Sequence, residues 1–210
     1  DRRYARASDS SLVCDCLASR GLPDSHSMNI RPGTETDAPH CRELALHVTL
    51  AAAGSEKAGF LLGTETVEDY RDFLREGITF LAEDAAGKLQ GFLIAYLHDS
   101  PLVARHAGGL FHATWEAAAP LGAPFCYVEK VAVSPQARRQ GIAQALYAHL
   151  FERVADRPFL AAIVEAPHCN RASREFHSIL GFERVGMFLR QTAANQSPIR
   201  LGLHMRHAGT

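Results

Sequence analysis

Apolar positions change their period twice between Phe125 and Val154. Residues 125–133 are dense in β-branched and aromatic side chains, which predicts a strand. Pro135 has no N–H to give a ladder and ends it. Beyond it the spacing becomes helical: Ile142, Leu146, Leu150 and Val154 recur every four residues along one stripe. Between the two patterns lies Arg138-Arg139-Gln140-Gly141-Ile142-Ala143. The order is therefore strand, short basic turn with a glycine, helix.

The flanks repeat the alternation of periods. Met28-Asn29-Ile30-Arg31-Pro32 reads as a natural start running into a first strand. Residues 36–53 predict one helix, with Leu44, Val48 and Ala51 on one side. Residues 66–76 predict a second, with Val67, Tyr70, Phe73 and Leu74 apolar and Gly77 as its stop. Residues 78–83 and 88–98 predict a hairpin around the turn at 84–87, and Gly91 marks a bulge or close packing. Residues 100–124 form a long connection that holds Trp115, His106, His112 and a short helix over 110–119. A connection of that length on one rim is a candidate substrate-shaping loop. Past the central unit, 159–165 predicts a strand parallel to 125–133, because a helix joins them. Asn170 caps a helix that runs to Leu180 and stops at Gly181. Residues 182–190 and 199–206 are strands around a turn at 195–198, and Ile199, Leu201, Leu203 and Met205 alternate toward one buried face.

Composition narrows the class. The chain has 210 residues, enough for one domain of residues 28–206 with a core, and 47% of them are hydrophobic. Residues 1–27 are polar and without period, and read as a disordered or loosely attached extension; 207–210 read as a tail. Lys plus Arg is 22 and Asp plus Glu is 23, a net charge of −1. No basic excess points to nucleic acid, and no apolar run reaches the roughly 18 residues of a membrane span. Five scattered cysteines, Cys14, Cys16, Cys41, Cys126 and Cys169, read as free thiols in a reducing, cytoplasmic compartment. Neither Cys14-Asp15-Cys16 nor the histidines at 98, 106 and 112 have a ligand spacing that points to a metal.

The turn at 138–143 opens a helix, where unpaired N–H groups and the positive end of the dipole point outward. Such a terminus holds phosphate. Gly141 lets an anion approach the backbone, and Arg138 and Arg139 add charge and forked donors. The turn lacks the Lys-Ser/Thr of a P-loop and the three glycines of a dinucleotide fold.

Arg138-x-x-Gly141-x-Ala143 after Val131-Ala132-Val133 resembles the acetyl-CoA signature of the GNAT superfamily of N-acyltransferases. Asn170-x-x-Ser173-x-x-Phe176-His177-x-x-Leu180-Gly181-Phe182 resembles a later helix of the same family, and Met28-Asn-Ile-Arg a common opening. The resemblance implies an α/β fold: a central mixed, mostly antiparallel sheet with helices on both faces. Its parallel strands 125–133 and 159–165 would splay to admit the pantetheine arm of acetyl-CoA, the acyl donor. The backbone of Val131 and Val133 would pair with that arm, and the amides of Arg138, Arg139, Gln140, Gly141, Ile142 and Ala143 would hold the pyrophosphate. Asn170 would bond the arm, with Ser173 and Phe176 beside it.

For the chemistry, Glu129 lies two and four residues before Val131 and Val133, so period 2 puts all three on one face. Family members with a carboxylate there use it as base or amine-binding group, and the bland alternative is a sheet-surface glutamate paired with a lysine or arginine. His177 stands where the family usually has a tyrosine that donates to the departing thiolate. An imidazole is able to donate too, or His177 simply packs. Tyr147 reads as core, and Cys126 and Cys169 as structural thiols. The combined expectation is direct acetyl transfer to a primary amine of a small molecule in a ternary complex, with no metal. A homodimer is compatible with the sequence. The alternatives are a protein or peptide N-acetyltransferase and a non-catalytic acyl-CoA-binding module.

Overall fold

The computed structural model describes residues 28–53, 58–63, 65–105, 115–116, 118–121, 124–190 and 197–209. The extension at 1–27 with Cys14 and Cys16, most of the helix expected over 110–119, and half of the turn at 195–198 lie outside these residues. The described strands are β1 (Asn29–Pro32), β2 (Ile78–Glu83), β3 (Leu89–Leu97), β4 (Cys126–Val133), β5 (Phe159–Ala166), β6 (Glu183–Arg190) and β7 (Ile199–Arg206). The helices are α1 (Ala38–His47), α2 (Leu50–Ala53), α3 (Val67–Glu76), α4 (Pro101–Arg105), α5 (Ile142–Arg153) and α6 (Arg171–Ile179). The strands form one seven-stranded sheet in the order β1-β2-β3-β4-β5-β7-β6. β4 and β5 run parallel, and every other neighbouring pair is antiparallel. The sheet is thus mixed and mostly antiparallel.

Helices cover both faces because the strands are apolar on both. On one face Leu44 of α1 and Tyr70 and Phe73 of α3 pack on Phe92, Ile94, Tyr96 and Tyr127. On the other Ile142, Leu146, Tyr147 and Leu150 of α5 pack on Leu93, Ala95, Cys126 and Val128. α3 begins at a reciprocal cap: the Asp69 amide donates to the Thr66 hydroxyl and the Thr66 amide to the Asp69 carboxylate. Gly91 is the close approach its sequence suggested. A Cβ there would lie 3.0 Å from both the Ala132 carbonyl and Ile142 Cγ2.

Two local readings are corrected. The single helix expected over 36–53 is a 3₁₀ turn at Glu35–Asp37, then α1, then α2. Val48 leaves the helical conformation at φ −117°, ψ 18°. The β-branched pair Val48-Thr49 has low helix propensity, and it finds other partners. Leu61 N–H donates to the Val48 carbonyl, and the Thr49 hydroxyl accepts from the Ala52 amide to cap α2. The second correction is in β4. Ile94 faces Lys130 and Ala95 faces Val128, so Glu129 is an extra residue opposite no partner on β3. This bulge shifts the side-chain parity of the strand, which matters for the site.

Candidate active site

The turn after β4 has the open amides that its sequence predicts. Gly141 sits at φ 79° in the left-handed region, with no atom within 4 Å of where a Cβ would be. It is the N-cap of α5 and supplies no side-chain cap, while the first helical bond, Ala145 N–H to the Gly141 carbonyl, begins only at residue 145. The amides of Ile142, Ala143 and Gln144 therefore have no capping side chain. Arg139 also lies at positive φ, 62°, with an exposed side chain. A non-glycine residue held there beside an uncapped helix start is backbone strain of the kind that collects at functional sites. Gln140 is exposed and its side chain reaches back to the Gln136 carbonyl at 3.4 Å. The amides of Ile142, Ala143 and Gln144 are donors of the kind that suits a phosphate's oxygens.

Next to the turn, β4 and β5 pair only through Cys126–Val128 and Phe159–Ala161 and then part. The β5-facing backbone groups of Val131 and Val133 have no strand beside them, although β3 pairs with their other edge. A cleft of about 850 Å³ opens here, within the range of small-molecule sites. It is lined by both strands, by the turn, by Asn170, Ser173 and Phe176 of the α6 start, and by residues 58–63 and 65. That last segment crosses the cleft as a strap. Arg138 donates to the carbonyls of Ala58 and Gly59, and Asn170 Nδ2 to the Phe60 carbonyl at 2.8 Å. Burial pushes the Arg138 guanidinium below the usual arginine range. Asn170 Oδ1 accepts from the Ser173 amide and caps α6, so one side chain holds both helix and strap.

The bulge places the acidic group. In a bulge of this kind adjacent side chains share a face. Glu129 accordingly turns to the face of Lys130, not to that of Val131 and Val133, which corrects the period-2 expectation. Lys130 Nζ is 3.1 Å from Glu129 Oε1 and 2.7 Å from Glu65 Oε1, and lies 5.7 Å from the centre of the Phe73 ring. The Tyr96 hydroxyl also donates to Glu129. Lys130 is 6% exposed. Burial alone pulls its ammonium down, but the carboxylates of Glu129 and Glu65 outweigh that and hold it above the usual lysine range. The Tyr70 hydroxyl, raised by burial and within the field of Lys130 and Glu65, is buried without a hydrogen-bond partner among the described residues. Glu65, Lys130, Tyr70 and Tyr96 were not singled out from sequence. The one available signal was a lysine at an inward position of an apolar strand.

His177 lies in the last turn of α6, 3% exposed. Its Nδ1 is 2.7 Å from the Ser173 carbonyl, which only accepts, so the proton is on Nδ1. Nε2 then accepts from the Tyr147 hydroxyl at 2.7 Å. Burial pushes the imidazole down to about 4, so it is neutral near pH 7. The structure thus does not present His177 as the free donor that the resemblance implies: one nitrogen gives its hydrogen to backbone and the other receives one. Tyr147 is core, as its sequence suggests, but it also lines the cleft with His177 and Phe176. Phe176 meets the Tyr147 ring edge to face at 5.6 Å. Cys41 and Cys126 are buried free thiols pushed up to about 12 by desolvation, unsuited to nucleophilic chemistry. Among the described residues no group of three or more His, Cys, Asp or Glu side chains could hold a metal ion. No described helix is long and apolar enough to cross a membrane.

No curated protein matches the sequence. Among solved structures the fold is similar to Arabidopsis thaliana NAA60 in complex with acetyl-CoA, with TM-score 0.64 and 12% identity over 88% of this chain and 100% of that one. It is also similar to the ribosomal-protein-S18-alanine N-acetyltransferase from Escherichia coli, with TM-score 0.60 and 13% identity over 88% and 96%. A phosphinothricin acetyltransferase from Sinorhizobium meliloti in complex with AcCoA gives 0.58 and 17% over 87% and 89%. At these identities the likeness concerns the fold. The assignment comes from the family model of the Acetyltransferase (GNAT) family, which matches residues 43–182, a span that holds β4, the turn, α5, β5 and α6. The chain therefore belongs to the GNAT acetyltransferase family.

Proposed function

We propose that the protein transfers an acetyl group from acetyl-CoA directly to a primary amine of a small molecule, both substrates being bound in the one cleft. The observation that carries this is the meeting of two unlike sites in that cleft. An uncapped helix start with a left-handed glycine suits the donor's pyrophosphate, and a carboxylate on a bulge suits the amine. The coenzyme A portion would be held by the amides of residues 139–143 and Arg138, with the edges of Val131 and Val133 along its arm. Asn170, Ser173 and Phe176 would form its other wall. Two of the similar structures have acetyl-CoA bound, which supports the choice of donor.

In this reading Glu129 binds the incoming ammonium and takes up its proton, directly or through water. Lys130 and Tyr96 fix the carboxylate in place. The departing thiolate is taken to pick up the proton that the amine nitrogen sheds on acylation, because the Tyr147 hydroxyl hydrogen is spent on His177 Nε2 and the His177 Nδ1 hydrogen on the Ser173 carbonyl. The similar structures include proteins named for a ribosomal-protein alanine and for phosphinothricin. The small-molecule choice rests on a cleft of about 850 Å³ that the strap narrows. The test is thiol release from acetyl-CoA against a panel of amines, amino acids and peptides. Glu129→Gln keeps the shape and removes the base, so turnover of the best amine is expected to fall by about 10²-fold or more. Unchanged turnover in that variant would remove Glu129 from the chemistry.

A further inference from the structure

If an amine docks at Glu129, the reading on which this inference rests, the charges along the cleft select among amines. Among the described residues Glu65 and Glu129 pair with a single cation, Lys130, and carry one negative charge more than it balances. The Tyr70 hydroxyl, 1% exposed and without a partner among the described residues, lies within the field of all three. That arrangement suits one incoming ammonium. Further along the same face the sign reverses. Arg190 ends β6 and lines the cleft, two residues after Phe188, which packs with the core on the α1 and α3 side. Nearby Arg184 and Arg200 are both taken by Glu165, at 3.1 and 3.8 Å, and Arg138 belongs to the donor end, where it also holds the strap. Arg190 has no hydrogen bond or ion pair among the described residues. β6 lies three strands from β4, and because β4 and β5 have parted at this level the two are more than about 14 Å apart. The cleft thus runs from net negative at Glu129 to positive at Arg190.

We propose that the acceptor is an amine with an anionic group of its own, an amino-acid-like zwitterion rather than a polyamine. Its ammonium docks at Glu129 and Glu65, and its carboxylate or equivalent at Arg190. A guanidinium fork binds a carboxylate at two points, and the same fork repels a second ammonium.

The experiment measures thiol release from acetyl-CoA with matched pairs. Each pair is an α- or ω-amino acid and the amine that lacks only its carboxylate, such as lysine and cadaverine, across two to six carbons. The best amino acid is expected to exceed its partner by at least about tenfold in kcat/KM, roughly 1.4 kcal/mol. Arg190→Gln is expected to raise KM for the amino acid by a similar factor, leave kcat within about twofold, and leave the decarboxylated amine unchanged. Arg190→Lys recovers part of the loss. Equal or better use of the decarboxylated partner by the parent protein overturns the proposal, as does an Arg190→Gln effect that is the same for both members of a pair. Absence of thiol release from every pair and every peptide counts instead against acetyl transfer itself.

Discussion

The turn at 138–143 and the cluster around Lys130 line one cleft, yet the first is made of consecutive residues and the second of separate segments. In the turn the binding groups are backbone amides, and only Gly141 and the start of α5 are needed to expose them. In the cluster, Glu65 comes from the strap, Tyr70 from α3, Tyr96 from β3, and Glu129 and Lys130 from β4. The first is robust to most side-chain changes but sensitive to its glycine. The second is part of the core, so a change there acts on folding as well as on recognition. The contrast separates a site that a short peptide pattern specifies from one that exists only once the sheet is assembled.

The sharpest way to break that contrast is Lys130→Met. It leaves two partly buried carboxylates facing each other, and removing one partner of such a network costs at most about 3–5 kcal/mol. Chemical denaturation should show a loss of that order, and Lys130→Met with Glu65→Gln should recover part of it. A Lys130→Met protein as stable as the parent would mean that the cluster is not structural. Next in size is the response to acid. His177 is held at about 4 in the folded chain, against about 6.5 for an exposed imidazole. The unfolded chain therefore binds the extra proton between those values. Stability is expected to fall as the pH falls through about 6.5 to 4, by on the order of 3 kcal/mol, and then to level for this group. Denaturation curves across that window should flatten in His177→Phe; a parent curve with no slope there would contradict the burial argument. The smallest effect belongs to the turn. Gly141→Glu puts a carboxylate where phosphate is proposed to bind, and calorimetry should report at least about a tenfold loss of coenzyme A affinity, about 1.4 kcal/mol. Its cost in stability is confined to the roughly 1–2 kcal/mol of a left-handed side chain.

The difference between the two ends also explains what the sequence disclosed. Periods of two and four, Pro135, Gly141, Asn170 and Gly181 act within a few residues, and they located the strands, the turn and the helix caps. The break at Val48-Thr49 escaped because it depends on Leu61, which is distant in the chain. The face of Glu129 escaped for a related reason. A bulge is a mismatch between two strands, and neither β3 nor β4 carries it alone. The neutral state of His177 depends on Tyr147, on another helix, and on depth below the surface. Alternation counted along β4 placed Val131 and Val133 together correctly and misplaced the residue just before the slip.

The strap has a thermodynamic consequence. It is anchored to Arg138 and Asn170 at the proposed donor end and, through Glu65, to Lys130 at the acceptor end. A ligand that competes for Arg138, or that tightens its hold on the strap, changes the free energy of the wall against which the other substrate rests. By reciprocity the acceptor must then alter donor affinity by the same factor as the donor alters acceptor affinity. The two substrates of this cleft are thus expected to bind as linked events, each reporting the presence of the other through one short length of backbone.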